Sequence, residues 1–134
     1  MRIFTTKRQK IGEFGERVTR ETLENDGFVL IQQNYSCRLG EIDLIFVPRE
    51  TSKDHIIFVE VKTILGDFNK KNLRFPPELQ FHVKKQHSFI ATVYDFIEKN
   101  NVSRETSWEI WLACVFLNIE RGRYKIRIWK QPFL

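Results

Sequence analysis

The 134-residue chain has the composition of an ordinary globular protein, with 42% hydrophobic and 29% charged residues and a formal net charge of +5. At this length we expect one domain, residues 1–134, that buries roughly two-thirds of its unfolded surface. No window is apolar enough to span a membrane, the first residues lack the features of a signal peptide, and the two cysteines form neither a disulfide framework nor a metal-binding pattern. These exclusions predict a cytoplasmic protein without a membrane partner.

Positive charge is concentrated in two windows of the chain. Residues 62–85 contain six Lys and Arg against two acids, and residues 120–134 contain five against one. Such local concentrations suggest a polyanionic partner, namely nucleic acid. The alternative is a basic surface that only improves solubility.

The first predicted element is a helix over residues 8–26, because apolar residues recur there at helical spacing and Gly27 follows as a stop. Gly15 and Thr19 belong to a strip of small residues beside the apolar stripe. That strip would let the helix pack closely on a sheet. Residues 28–35 are then predicted to form a first strand.

Two further strands are predicted at residues 40–47 and 56–62. Both faces of these runs are apolar, which is typical of central strands that are covered on both sides. The short polar segment between them suggests that they pair as a hairpin, with Val47 opposite Ile56. A shift of one residue would send every side chain to the other face, so this register is a specific prediction.

This register gathers charged side chains on one face. Asp43 lies across from Glu60, and Glu41 lies across from Lys62, with β-carbons of opposed residues roughly 5 Å apart. Charges on otherwise hydrophobic strands are unfavourable unless a metal ion or a substrate uses them. The alternative for Asp43, Glu60 and Lys62 is a surface cluster of ion pairs on a strand face. Glu41 could serve a metal ion, but we expect it to pair with Lys62 across the strands.

The second half of the chain predicts a loop, a helix and two strands. Residues 64–76 read as a polar, basic loop, and residues 76–99 as a long helix opened by two prolines. Residues 108–119 form an apolar strand, and residues 123–129 a last strand with one basic face. The order α-β-β-β-α-β-β predicts an α/β fold, a mixed β-sheet flanked by helices.

Several motifs in the first two-thirds of the chain suggest a family. They are Gly12 with Glu16, Gly27, Asn34-Tyr35, Arg38, the GEIDLI block from Gly40 to Ile45, the FVEVK block from Phe58 to Lys62, and Lys85. Together they resemble the YraN-like family of small bacterial proteins in the PD-(D/E)xK nuclease superfamily. Archaeal Holliday-junction resolvases are more distantly similar in the order of their acidic residues, which makes branched DNA a conceivable substrate.

The resemblance implies a restriction-endonuclease-like core with Asp43, Glu60 and Lys62 as its catalytic triad and Glu16 as an added catalytic acid. Carboxylate oxygens suit Mg²⁺ or Mn²⁺, held by Asp43 and Glu60, with the backbone carbonyl of Val61 and the carboxylate of Glu16 as further ligands. Lys62 would orient the attacking water or stabilise charge in the transition state. The expected activity is hydrolysis of phosphodiester bonds in nucleic acid, with DNA favoured over RNA.

Basic residues near these motifs are candidates for contacts with phosphate. Phe68 and Phe75 alternate with some of them and could stack on unpaired bases, although both rings folding back onto the core is the simpler expectation. The basic face of the last strand could instead serve only to prevent pairing of an exposed sheet edge. The candidate nucleic-acid-binding residues are Arg38, Lys70, Lys71, Arg74, Lys85, Arg123, Lys125 and Arg127.

Three departures from the family pattern concern substrate binding. Ile64 and Ser107-Trp108-Glu109 stand where the family tends to have Arg and Arg-Phe-Asp, and the loop before Lys85 is longer and more basic. The histidines, His55 among them, show no ligand spacing and are expected at the surface or on a helix. Two alternatives to an active nuclease stay open: a nucleic-acid-binding module with a weak or inactive site, and an interaction protein whose acidic cluster is structural.

Overall fold

The computed structural model describes residues 6–50, 54–68 and 83–130. Within them two helices and five strands follow the predicted order α-β-β-β-α-β-β. Their bounds are α1 Lys7–Asn25, β1 Phe28–Cys37, β2 Gly40–Pro48, β3 His55–Leu65, α2 Val83–Lys99, β4 Ser107–Asn118 and β5 Arg123–Lys130. Most of the predicted basic loop and the predicted start of the second helix lie outside the described residues.

The five strands form one mixed sheet in the order β1-β2-β3-β4-β5. Neighbouring strands are antiparallel except β3 and β4, which are parallel and have α2 between them in the chain. A parallel pair needs such a crossover, whereas antiparallel neighbours can be joined by short turns. The predicted α/β fold is therefore confirmed, and it is consistent with a restriction-endonuclease-like core.

Hydrophobic side chains are buried on both faces of the sheet, as the doubly apolar strands predicted. Phe58 and Val59 are adjacent in β3 and both are fully buried, which requires cover on opposite faces. Phe58 packs with Phe89 and Val93 of α2, and Val59 packs in a second cluster with Leu23 of α1. We call these faces the α2 side and the α1 side. In the described part of the chain, no helix has the length and apolarity needed to cross a membrane.

Helix α1 begins with a capping box and lies unusually close to the sheet. The Thr6 hydroxyl accepts a hydrogen bond from the Gln9 N–H, and the Gln9 side chain accepts one from the Thr6 N–H. A β-carbon at Gly15 would lie 1.9 Å from Thr63 Oγ1, so the small-residue strip is needed for this approach. The approach also brings Glu16, the next residue, toward the edge of β3.

The pairing of β2 with β3 has the predicted register. Leu44 pairs with Val59, Ile45 with Phe58, and Phe46 with Ile57. These pairs continue the predicted opposition of Val47 and Ile56. The paired segment ends at Leu44 and Val59, just before the acidic residues of the two strands.

Candidate active site

Strands β2 and β3 part at Asp43. Its carboxylate oxygen Oδ2 accepts a hydrogen bond of 2.8 Å from the Val61 N–H, so a side chain takes the place of a backbone partner there. The Asp43 and Glu60 carboxyl groups lie within hydrogen-bonding reach of each other, as the predicted register requires. Two acids are thus held side by side where the sheet opens.

Successive side chains of β2 stop alternating regularly between the two faces of the sheet at Asp43. Gln33 pairs with Leu44 and Tyr35 with Ile42, which places Asn34, with a φ of 54°, opposite Asp43. Asparagine is one of the few residues that tolerate this left-handed conformation. Ile42 then packs on the α2 side while Leu44, two residues later, packs on the α1 side. A regular strand would place these two side chains on the same face.

The predicted pairing of Glu41 with Lys62 is not formed. Among the described ion pairs none joins these residues, because the paired segment of β2 and β3 ends before it reaches them. The Glu41 carboxylate instead lies near enough to Glu16 of α1 to raise its pKa. The reversal at Asp43 is the physical reason why regular alternation fails for Glu41.

A lysine from α2 completes the cluster. Lys85 Nζ lies 2.8 Å from Glu60 Oε2, and the Lys85 and Lys62 side chains lie close enough for each to shift the pKa of the other. The side chain of Glu60 is only 8% exposed, whereas that of Lys85 is 48% exposed. Helix α2 reaches this position because Gly40 leaves room for it: a β-carbon there would lie 2.8 Å from Thr92 Oγ1.

The electrostatics show how strongly these groups affect one another. Burial, and then the Glu60 carboxylate, raise the pKa of Asp43 well above its ordinary range. Burial, followed by the charges of Glu41 and Glu60, also raises the pKa of Glu16. Burial and the Lys85 ammonium lower the pKa of Lys62. The carboxylates repel one another, and no cation other than the two lysines acts on Asp43 or Glu60 among the contacts described.

Asp43 and Glu60 line a small cleft of about 220 Å³ together with Glu41 and Lys85. Ser88 and Phe89 form its wall on α2. The cleft gives a small ligand access to both carboxylates, although Glu60 is almost fully buried.

The donor chemistry of the cluster suits a hard divalent cation. Carboxylate oxygens are the ligands that Mg²⁺ and Mn²⁺ prefer, and the pKa of Asp43 is raised by its burial and then by the nearby Glu60 carboxylate. In the described residues, however, no three side chains of His, Cys, Asp or Glu converge closely enough to enclose an ion. As the structure stands, Asp43 and Glu60 are the two carboxylates that could hold a cation, with backbone oxygen or water beside them, and Glu16 would have to move closer to become a third.

The predicted nucleic-acid-binding residues are spread over several positions. Lys125 and Arg127 lie over the ring of Phe68, which packs edge-on against Phe116, so the expectation that Phe68 folds onto the core is confirmed. Arg123 forms an ion pair with Asp67, Nη2 to Oδ2, at 2.6 Å. Arg38 is exposed after β1, and Lys85 contacts Glu60 as described above. Residues 70, 71, 74 and 75 lie outside the described part of the chain.

A second polar cluster was not predicted. His55 Nδ1 lies 2.7 Å from Ser107 Oγ, and His55 Nε2 lies 2.7 Å from Glu109 Oε2. The Trp111 indole N–H donates to the other oxygen of Glu109. His55 is a partly exposed strand residue, and its two side-chain partners were not expected from the sequence. The signal was available, because Ser107 and Glu109 are two apart on one strand and both depart from the family pattern.

This second cluster, which we call the His55 cluster, is remote from the acidic residues. His55 pairs with Ser107 in the parallel register, whereas Glu60 pairs with Leu112. At roughly 3.3 Å per residue the two levels lie about 17 Å apart along the strands. Residues 107 and 109 therefore do not belong to the surroundings of Asp43 and Glu60.

Comparison with known proteins identifies relatives over most of the chain. The model of the uncharacterised protein family UPF0102 matches residues 15–123. A UPF0102 protein of Clostridium botulinum strain 657 is 29% identical over 123 residues, which cover 92% of this chain and 93% of that protein. A UPF0102 protein of Chloroflexus aurantiacus is 32% identical over 105 residues, 78% of each chain.

Proposed function

Because the chain belongs to the UPF0102 family, an uncharacterised one, we propose its function from the chemistry of its own site. We propose that it is a metal-dependent endonuclease that hydrolyses phosphodiester bonds of nucleic acid, with DNA as the preferred substrate. The observation that carries this proposal is the meeting of Asp43 and Glu60 at the opening between β2 and β3, with Lys62 and Lys85 beside them.

This arrangement is hard to explain as a device for stability. Two carboxylates in contact, one of them on a residue only 6% exposed, repel each other and lose favourable hydration. Clusters of perturbed acids in clefts are more typical of functional sites than of structural ion pairs. The open cleft in front of Asp43 and Glu60 is consistent with a use for them.

Mg²⁺ or Mn²⁺ would be held by Asp43 and Glu60, with the backbone carbonyl of Val61 and the carboxylate of Glu16 as further candidate ligands. When bound, such an ion would lower the pKa of a coordinated water and polarise a phosphoryl oxygen. The residues themselves would orient the reactants. Asp43 is well suited to this, because its bond to the Val61 N–H fixes the direction of its carboxylate.

The two lysines would act on the phosphate. Lys62 has a lowered pKa because it is partly buried and lies beside Lys85, and Glu60 opposes that shift. We assign to Lys62 the orientation of the attacking water and the stabilisation of charge in the transition state. Lys85 is half-exposed, so its side chain could leave Glu60 for a phosphate oxygen when substrate and metal arrive.

A path for the nucleic-acid backbone leads across the sheet from this site. In the pairing of β3, β4 and β5, Lys62 lies beside Cys114, and Cys114 lies beside Arg127. At strand spacings of about 4.8 Å, Arg127 is roughly 10 Å from Lys62 across the sheet. Lys125 lies over Phe68 next to Arg127, which extends the positive charge to the edge strand. Phosphates would follow this row from the acidic cleft to β5.

The alternative is a nucleic-acid-binding module without hydrolytic activity. One observation favours it: the ammonium of Lys85 already neutralises Glu60, and no three metal-binding side chains converge in the described residues. Both functions predict nucleic-acid binding whose affinity falls with salt concentration. Only the nuclease predicts cleavage that depends on a divalent cation.

The test is a cleavage assay on duplex, single-stranded, flap and four-way-junction DNA, with Mg²⁺, Mn²⁺ or chelator. We expect divalent-dependent cleavage by the wild-type protein and its loss in Asp43→Asn and Lys62→Ala. Equal cleavage by all three proteins would refute the site. Salt-dependent binding without cleavage under any condition would favour the binding module.

A further inference from the structure

A second cleft, distinct from the one in front of Glu60, lies between α1 and β1. It has a volume of about 420 Å³, within the range of roughly 300–1,000 Å³ that is usual for sites of small ligands. Its lining combines carboxylates, guanidinium groups and side-chain amides. These residues are Glu13, Glu16, Arg17, Arg20, Gln33 and Asn34.

The cleft adjoins the proposed active site at two points. Glu16 lines it and also lies close enough to Glu60 for the two carboxylates to interact. Asn34, in its left-handed conformation, lies opposite Asp43 across the β1–β2 pair. A group bound in this cleft would therefore be a near neighbour of a phosphate that is bound at Asp43.

The two guanidinium groups that line the cleft have only weak side-chain partners. Arg17 and Glu21 are 3.6 Å apart, and Arg20 and Glu24 are 3.7 Å apart, in exposed pairs of one helix turn. Such exposed pairs contribute little and exchange readily. Arg20 Nε is buried and has no hydrogen-bond partner in the described structure, and Arg20 Nη1 reaches the Gln33 amide oxygen at 3.4 Å. A ligand with its own acceptors would satisfy these donors better.

We propose that this cleft binds the base of one unpaired nucleotide next to the scissile phosphate. The inference rests on the proposed function, since it is the nuclease site that would hold that phosphate. A base is favoured over a phosphate because Glu13 and Glu16 offset the positive charge of Arg17 and Arg20 and can accept hydrogen bonds from the exocyclic amino group of a base. Gln33 and Asn34 each offer a donor and an acceptor, the combination that reads the edge of a base.

This inference assigns the substrate as nucleic acid with an extrahelical or single-stranded nucleotide at the cleavage point. A stacked and paired base could not enter a cleft beside the active site, whereas an unpaired base turns out at low cost. Fully paired duplex would then be a poorer substrate than the same duplex with one unpaired nucleotide.

The direct test does not require cleavage. The wild-type protein is titrated with millimolar deoxyadenosine or deoxycytidine while NMR follows the side-chain amides of Gln33 and Asn34. We expect shifts at these amides, with binding weakened at least about fivefold in Gln33→Ala, whose loss of one base contact corresponds to about 1 kcal/mol or more. Gln32→Ala is the matched control, because Gln32 is an exposed neighbour on β1 that does not line the cleft.

Each outcome decides between the two proposals. Equal shifts with inorganic phosphate would make the cleft an anion site, and the absence of nucleoside shifts would overturn the inference outright. Cleavage of a duplex with an unpaired base is then compared with cleavage of the same duplex carrying an abasic analogue there. If cleavage shows no preference for the base and nucleosides cause no shifts, the proposed nuclease activity stands and the proposed base binding in the cleft is refuted. If nucleosides cause shifts but no substrate is cleaved, base binding in the cleft stands and the proposed nuclease activity is refuted.

Discussion

Strand β3 takes part in two polar clusters, one at its start and one in its middle, and they are built in opposite ways. In the His55 cluster the imidazole lies between a hydroxyl and a carboxylate, and the second oxygen of Glu109 accepts a bond from Trp111. In the middle of β3 the carboxyl group of Glu60 meets that of Asp43 from β2, and Lys85 pairs with Glu60. One cluster pairs only complementary groups, whereas the other brings two acids together.

The difference shows which polar clusters in a sheet indicate function. Complementary groups that lie in register satisfy one another and can hold two strands together. Like charges in contact oppose folding, so clusters of them are more typical of functional sites than of structural ones. By this criterion we expect the Asp43 cluster to be functional and the His55 cluster to be structural. Four experiments would sharpen or refute this contrast.

The largest contrast should appear in cleavage. Glu60→Gln removes a candidate metal ligand, and we expect the cleavage rate to fall at least about 100-fold, since even residues that only support metal ligands cost about 10- to 100-fold. Glu109→Gln, the matched change in the His55 cluster, should leave the rate within about twofold. Circular dichroism would verify that both variants fold. A similar loss in the two variants would remove the functional distinction between the clusters.

The next contrast is in stabilisation by a divalent cation. Mg²⁺ at about 100 times its dissociation constant should stabilise the wild-type protein by about 2.7 kcal/mol, because it binds only the folded state. Thermal unfolding at matched ionic strength would show a rise of the melting temperature in wild type and in Glu109→Gln. Asp43→Asn should show no such rise. A rise of the same size in Asp43→Asn would place the ion elsewhere.

Disruption of the His55 cluster should lower stability. His55→Ala leaves Glu109 and Ser107 without their shared partner, and we expect a loss of about 1–3 kcal/mol in the free energy of unfolding. Denaturant unfolding would measure it. His87→Ala is the control, because His87 is exposed on α2 and should change stability by no more than about 0.5 kcal/mol. Equal effects of the two changes would show that the cluster does not hold the strands.

The smallest expected effect is an increase in stability instead of a loss. Without divalent cations, Asp43→Asn should stabilise the protein at neutral pH by about 1 kcal/mol, as is common when a functional charge is removed. Asn keeps an oxygen to accept the Val61 N–H bond, so only the charge is lost. Because the folded state raises the pKa of Asp43, protonation favours folding. The stability that the proton provides is complete below the unfolded pKa of about 4 and is lost as pH rises toward the folded value.

The stabilisation by Asp43→Asn should therefore be absent near pH 4 and grow with increasing pH. Denaturant unfolding of both proteins across this range would measure it. A variant that is less stable than wild type at pH 8 would contradict the assignment of Asp43 as an electrostatically unfavourable residue.

The sequence alone was sufficient to predict the strands and the pairing of β2 with β3 across the hairpin. Doubly apolar runs require burial on both faces. A hairpin with Val47 opposite Ile56 then sets the register, so Leu44 opposite Val59 could be predicted. The same local argument predicted that Asp43 lies beside Glu60. The prediction from strand alternation was wrong for Glu41. The left-handed backbone at Asn34, opposite Asp43, interrupts the alternation, and a pattern of period two in the sequence does not reveal it.

Contacts between distant segments were decided only by the tertiary structure. Lys85 reaches Glu60 because α2 crosses the sheet at Gly40, and His55 meets Ser107 because the crossover sets the parallel register of β3 and β4. Spacing along a chain predicts which side chains share a face of one element. It does not predict how a helix and a parallel strand, joined through long connections, are placed over that face, since this depends on the packing of the whole core.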